Sequence, residues 1–176
     1  MRLRLDLCDV DLQFKINGWR EPKTGEDGCD KWCNVELSLK SKYIDYKPSG
    51  ELIMSSEVVW IKDVLKKLID NELEEDYTIT LAEPDIQFEF RIAKRFFSTP
   101  GIVYYAKGYE DVDINGDWII HFWCNDGALG GNSLSMTLDR NDITNLYNYI
   151  MLVTGEIKSD SQVIMDMLKK GTMLPE

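Results

Sequence analysis

Apolar residues recur at every second position through much of the first forty residues: Leu3, Leu5 and Leu7, then Val10, Leu12, Phe14 and Ile16, then Val35, Leu37 and Leu39. A period of two places such side chains on one face of an extended chain and their polar neighbours on the other, which is the signature of half-buried β-strands. The polar run Asn17 to Asp30, with three glycines, a proline and several charges, reads as a long loop. Lys42 to Lys47 reads as a further strand, ended by a turn at Pro48-Ser49-Gly50. These pieces form an antiparallel meander.

The period then changes. Ser55 or Ser56 is placed to cap a helix with Glu57 in its first turn, and Val58, Ile61, Val64, Leu65, Leu68 and Ile69 share one helical face. After the acidic link Glu72 to Asp76, alternation returns in Thr78 to Leu81, Ile86 to Ile92 and Ile102 to Lys107. Asn115-Gly116 is the strongest hairpin signal, because both residues tolerate the positive φ of a type I′ turn. It predicts a strand ending near Ile114 and another running from Trp118 to Cys124, followed by a looser turn at Asp126 to Gly131 and a strand at Ser133 to Leu138. Asp139 is suited to cap a helix carrying Ile143, Leu146, Tyr147, Ile150 and Val153, and a short helix from about Ser161 ends at Lys169-Lys170-Gly171. The expectation is one α+β domain over residues 1–176, a mostly antiparallel meander or sandwich with one central helix and one or two C-terminal helices.

Composition narrows function. Thirty-one Asp and Glu against twenty Lys and Arg give a formal charge of −11, whose field repels nucleic acid and membrane phosphates and attracts basic proteins. The single histidine, His121, leaves little of the usual acid–base and metal-binding equipment near neutral pH. No apolar run is long enough to span a membrane, and the alternating charge of MRLRLDLCDV does not resemble a signal peptide, so a cytoplasmic location is expected. Of the four cysteines, Cys8, Cys29, Cys33 and Cys124, only Cys29 and Cys33 are close in sequence, half a zinc site at most.

Asp111, Asp113, Asn115, Gly116 and Asp117 match the opening of an EF-hand calcium loop, but the twelfth position is Phe122 where a bidentate Glu belongs, so solvated acids at a hairpin tip explain the segment more simply. His121 lacks a sequence partner for a triad, and no feature selects two carboxylates as a glycosidase pair. No catalytic, cofactor or metal residue is assigned. The acid clusters remain: Glu72, Glu74, Glu75 and Asp76 after the first helix; Glu110, Asp111, Asp113 and Asp117 around the expected hairpin; Glu26, Asp27 and Asp30 in the long loop. The first two are the candidate partner-binding residues, with Trp19, Trp32, Trp60 and Tyr109 as candidate aromatic anchors.

The order of motifs resembles the WapI-type immunity proteins of bacteria. It is carried by Asp30-Lys-Trp32-Cys-Asn-Val35-Glu-Leu37, by Trp60-Ile61-Lys-Asp-Val64-Leu65 in a helix, by Leu81-Ala-Glu83-Pro84-Asp-Ile86-Gln-Phe88-Glu-Phe90, and by Leu138-Asp139-Arg-Asn-Asp142-Ile143 opening a late helix. The resemblance implies a cytoplasmic, non-enzymatic antidote that blocks the toxic domain, often a nuclease, of a contact-dependent toxin. Residues 17–30 and the last helix depart from the short pattern. Two other classes compete: a small-ligand or regulatory domain with an aromatic sheet face of Tyr104, Tyr105, Tyr109, Trp118 and Trp123, and a hydrolase built on carboxylates or His121.

Overall fold

The alternating segments become strands in the computed structural model, which describes residues 1–22, 30–93, 113–122 and 132–175. In chain order these are β1 (Arg2–Leu7), β2 (Val10–Asn17), β3 (Trp32–Lys40), β4 (Asp45–Tyr46), β5 (Ser49–Met54), α1 (Ser55–Ile69), β6 (Tyr77–Thr80), β7 (Ile86–Ala93), β8 (Asp113–His121), β9 (Ser133–Leu138), α2 (Arg140–Val153), α3 (Gln162–Lys170) and β10 (Met173–Leu174). They build an α+β fold with two antiparallel sheets. One runs β10-β1-β2-β3-β4 with β5 also paired to β3; the other runs β6-β7-β8-β9.

A two-residue turn explains why the apolar parity switches from odd to even numbers after Leu7. Cys8 and Asp9 both have positive φ, 50° and 72°, and Leu7 pairs with Val10, Leu5 with Leu12 and Leu3 with Phe14 across the hairpin. Leu3, Leu5, Leu12, Phe14, Val35, Leu37 and Leu39 are thereby buried on one face. The second sheet buries Ile79, Phe88, Phe90, Ile114, Trp118, Ile120 and Leu138 in the same core. Trp118 joins the two sheets, its ring edge-on to Phe14 at 4.9 Å and tilted against Phe88 at 4.9 Å.

Both longer helices press their apolar stripes onto this core. In α1 the buried residues include Val58, Ile61, Val64, Leu65 and Leu68, as the periodicity predicts. The start of α1 is capped differently from the expectation. Met54 occupies the cap position, and the Ser56 N–H meets the Asp30 carboxylate at 3.2 Å. Glu57, only 7% exposed, accepts the Met54 N–H at 2.8 Å and the Ala82 N–H at 2.7 Å, tying the helix start to the end of β6. Asp139 caps α2 as expected, accepting from Asn141 and Asp142. In α2, Tyr149 is the buried tyrosine and Tyr147 only half-buried. The Tyr149 hydroxyl accepts the Ile16 N–H at 2.7 Å, and its burial raises its pKa. Gly171, in the left-handed region at φ 74°, ends α3.

Two turn expectations are corrected. Asn115-Gly116 lies inside β8, a continuous strand with β7 on one side and β9 on the other. Pairing on both flanks overrides the local turn preference, and the glycine answers to a different need. It stands opposite Phe90, where an added Cβ would come within 2.6 Å of the Phe90 ring and 2.8 Å of the Glu89 carbonyl. Ser49-Gly50 likewise belongs to β5, paired with Glu36 and Val35, and the strand expected at Lys42 to Lys47 reduces to Asp45–Tyr46. The expected strand at Ile102 to Lys107, residues 23–29 of the long loop and the Asp126 to Gly131 turn lie outside the described residues.

Candidate functional site

The acidic link after α1 is held in a defined shape by its own backbone. Asn71 takes a positive φ of 60°, its N–H donates to Leu68 O at 3.2 Å, and the Glu72 N–H donates to Lys67 O at 2.8 Å. This is the Schellman arrangement, with asparagine in the place glycine usually holds. Arg140, from the first turn of α2, donates to Ile69 O at 3.3 Å and to Asn71 Oδ1 at 3.2 Å, setting a positive charge against the negative end of α1. Leu73 packs on the core while Glu72, Glu74 and Glu75 are exposed. Asp76 closes the link by accepting the Ile92 N–H of β7 at 2.9 Å.

The second acidic group does not form as expected. Glu110 and Asp111 lie outside the described residues, and Asp113 opens β8 opposite Ala93. Asp117 is not a solvated acid at a hairpin tip. It sits mid-strand, 8% exposed, accepting a hydrogen bond from Arg91 and another from Thr137 Oγ1 at 3.0 Å. Register explains the arrangement. Asp117 lies directly opposite Glu89, a repulsive cross-strand pair, and Arg91 reaches both, standing 3.7 Å from Glu89. The hydrogen bond and charge of Asp117, with Glu89 and Asp76 nearby, raise the Arg91 pKa. Residues 113–117 of the EF-hand-like segment run in a strand and not in a loop, while Asp111 lies outside the described residues.

A polar row therefore crosses the outward face of the second sheet. It runs from Thr137 through Asp117, Arg91 and Glu89 to Gln87, whose Nε2 donates to Glu89 at 2.9 Å, and on to His121, whose Nε2 is 3.3 Å from Gln87 Oε1. Among the described residues, the side chain that meets His121 Nε2 is thus an amide and not a carboxylate. Among the described residues no group of His, Cys, Asp and Glu side chains could hold a metal ion. Cys33 points into the core, its Sγ 3.5 Å from Ser55 Oγ and its thiol pKa raised by burial, while Cys29 lies outside the described residues. The aromatic sheet face expected for a small ligand is not a cavity at Trp118, which is fully buried between Phe14 and Phe88; Tyr104, Tyr105, Tyr109 and Trp123 lie outside the described residues.

The candidate anchors are mainly structural. Trp19 Nε1 donates to Ser55 O at 3.3 Å and Trp60 Nε1 to the Tyr77 hydroxyl at 3.3 Å, and both pack partly on the core. Trp32 is half-buried opposite Met54, and Tyr109 lies outside the described residues. Sequence reasoning missed Tyr43, 85% exposed in the β3–β4 turn with the Lys42 ammonium 5.3 Å from its ring. An aromatic between two strand-like residues carried no signal of exposure.

Asp142 was also missed. In the first turn of α2 it accepts the Asp139 N–H at 3.1 Å, and burial, helped by the charges of Asp139 and Asp6, raises its pKa from 3.8 to about 6. The folded state therefore holds this proton more tightly than the unfolded chain. Stability conferred by the proton is present at low pH and is lost as pH rises from about 4 through 6. Asp142→Asn is expected to flatten that slope, and to raise stability at pH 7 by about 1 kcal/mol after allowing for partial solvent screening. Urea unfolding at pH 5 and pH 7 checks this, and an unchanged slope in the variant would assign it to other groups.

Compared with known proteins, the chain matches no protein-family model, and no curated protein matches it at a significant level.

Proposed function

We propose that this protein is a non-catalytic antidote of the immunity-protein kind, which acts in the cytoplasm by docking an acidic surface onto the basic face of a toxic domain. One observation carries the reading: Glu72, Glu74 and Glu75 are displayed on a link whose shape is set by a helix-end motif, by Leu73 and by Asp76. A backbone already held in shape loses little conformational freedom on binding, which lowers the cost of presenting these acids to a partner. The motif order that resembles the WapI-type family and the charge of −11 support the same reading. Blockage is steric, with carboxylates standing where a nuclease would take phosphates. Asp117 is excluded from the contact set because Arg91 already neutralises it.

Calorimetric titration with a toxic domain encoded by a gene neighbouring that of this chain is the test. Binding is expected to weaken steeply between low and physiological salt, over which the screening length falls from about 30 Å to about 8 Å. The triple reversal Glu72→Lys, Glu74→Lys and Glu75→Lys is expected to weaken binding about a hundredfold or more at low salt, whereas Glu51→Lys on β5 changes it little. Binding indifferent to both salt and the triple reversal would remove the acidic link from the mechanism.

A further inference from the structure

From Asp70 to Phe90 the chain has no Lys, Arg or His, while Asp and Glu recur throughout. In the middle of this stretch lies β6, whose only strand partner among the described residues is β7. Register shows which residues face the open edge. The Ile92 N–H points to the β6 side, since it donates to Asp76 Oδ1 at 2.9 Å. The His121 N–H donates to Asp85 O at 3.0 Å, so odd-numbered positions of β7 bond to β8 and even-numbered ones to β6. Phe90 and Phe88 therefore exchange hydrogen bonds with Tyr77 and Ile79, and Thr78 and Thr80 turn their N–H and C=O groups outward. Both threonines are exposed. The next N–H in that series, of Ala82, is already taken by Glu57 at 2.7 Å, which sets the end of the open length.

The surroundings of this edge favour one kind of occupant. Glu75 precedes it and Glu83 follows it; both are exposed, and neither has a hydrogen-bond or ion-pair partner among the described residues. Charge of one sign at both ends repels a second copy of the same edge and attracts a basic strand. On the inner side, Tyr77 is half-buried on the core, and its hydroxyl accepts the Trp60 Nε1–H at 3.3 Å.

We infer that β6 takes up an extended basic segment of a partner protein as an added strand of the second sheet. The Thr78 and Thr80 N–H groups donate to carbonyls of that segment, and their C=O groups accept from its amides. Alternate residues of the segment are cationic and share the solvent face with Thr78 and Thr80, between Glu75 and Glu83. The residues between them are apolar and lie on the side of Tyr77. Backbone bonds hold the segment, and the flanking acids select its charge. The inference rests on the docking reading above for its basic partner, and adds the element by which that partner is held.

Titration of the ¹⁵N-labelled protein with a blocked synthetic peptide of alternating lysine and valine tests it. Two controls run at matched ionic strength: a glutamate–valine peptide, and the lysine–valine peptide N-methylated throughout, which keeps its charge and loses every amide donor. Saturable shifts centred on Thr78 and Thr80, with slowed hydrogen exchange of those two amides, are expected with the unmodified lysine–valine peptide alone. Thr78→Pro removes one outward N–H and leaves the β7 ladder intact, and should weaken binding about tenfold or more. If that variant loses its dispersed spectrum, Glu75→Lys combined with Glu83→Lys gives the reading, with about a tenfold loss at low salt. No saturable binding, equal binding of either control peptide, shifts centred elsewhere, or undiminished affinity in the folded variant would each overturn strand addition. Failure with the peptide while a toxic domain still docks through Glu72, Glu74 and Glu75 removes this inference alone. Peptide binding without any toxic-domain binding removes the antidote reading and keeps β6 as a site for basic segments.

Discussion

Trp118→Ala is expected to lower folding stability by about 4 kcal/mol, a large part of what a domain of this kind possesses. Its ring is fully buried and touches Phe14 of the first sheet and Phe88 of its own sheet, so truncation removes a large contact through which the two sheets share a core. The conservative change separates packing from polarity. Trp118 Nε1 is buried with no acceptor among the described residues, so Trp118→Phe sheds that donor while keeping most of the aromatic volume. A loss of only about 1 kcal/mol is expected for it. Urea denaturation of both variants checks the pair, and an alanine variant no less stable than the phenylalanine one would mean that the sheets are held together elsewhere.

The second large effect is at Gly116. Replacing it with valine is expected to cost about 3 kcal/mol, because the added atoms enter space held by the Phe90 ring and the Glu89 carbonyl. The ring is itself buried and stacked on Phe88, and the carbonyl belongs to the β7 ladder, so neither yields cheaply. Gly116→Ala is expected to cost somewhat less, and pairing it with Phe90→Leu should recover only part of the loss, since the 2.8 Å approach to Glu89 O persists. A milder helix or turn glycine gives the control: Gly155, with φ 78° and open space around its Cβ position, suffers backbone strain alone. If Gly116→Ala proved neutral in denaturant, the close β7–β8 packing would be disproved directly.

The same glycine shows where sequence reasoning stops. Asn-Gly is a turn signal because both residues accept positive φ, yet a strand also selects glycine where a neighbouring aromatic lies across it. Nothing within a few residues of Asn115 distinguishes the two cases; the distinguishing partner, Phe90, is in another strand. Asp117 followed the same course. Read locally it is one of several solvated acids, and only the register that sets it opposite Glu89 and within reach of Arg91 makes it a buried, neutralised group. By contrast Glu72, Glu74 and Glu75 were legible as exposed acids, because a short polar segment between a helix and a strand has nowhere else to place them.

The chain's periodicities by themselves determined that Leu3 to Ile16 and Val35 to Leu39 are half-buried strands, that Val58 to Leu68 is the inner stripe of a helix, and that Asp139 starts another. Each follows from the direction of side chains along one short backbone segment. Tertiary structure alone decided that Trp118 couples two sheets, that Tyr149 and not Tyr147 receives the Ile16 amide, and that the Thr78 and Thr80 amides face the open edge of β6. Those outcomes depend on pairing between distant segments, whose energy is absent from any local window of sequence.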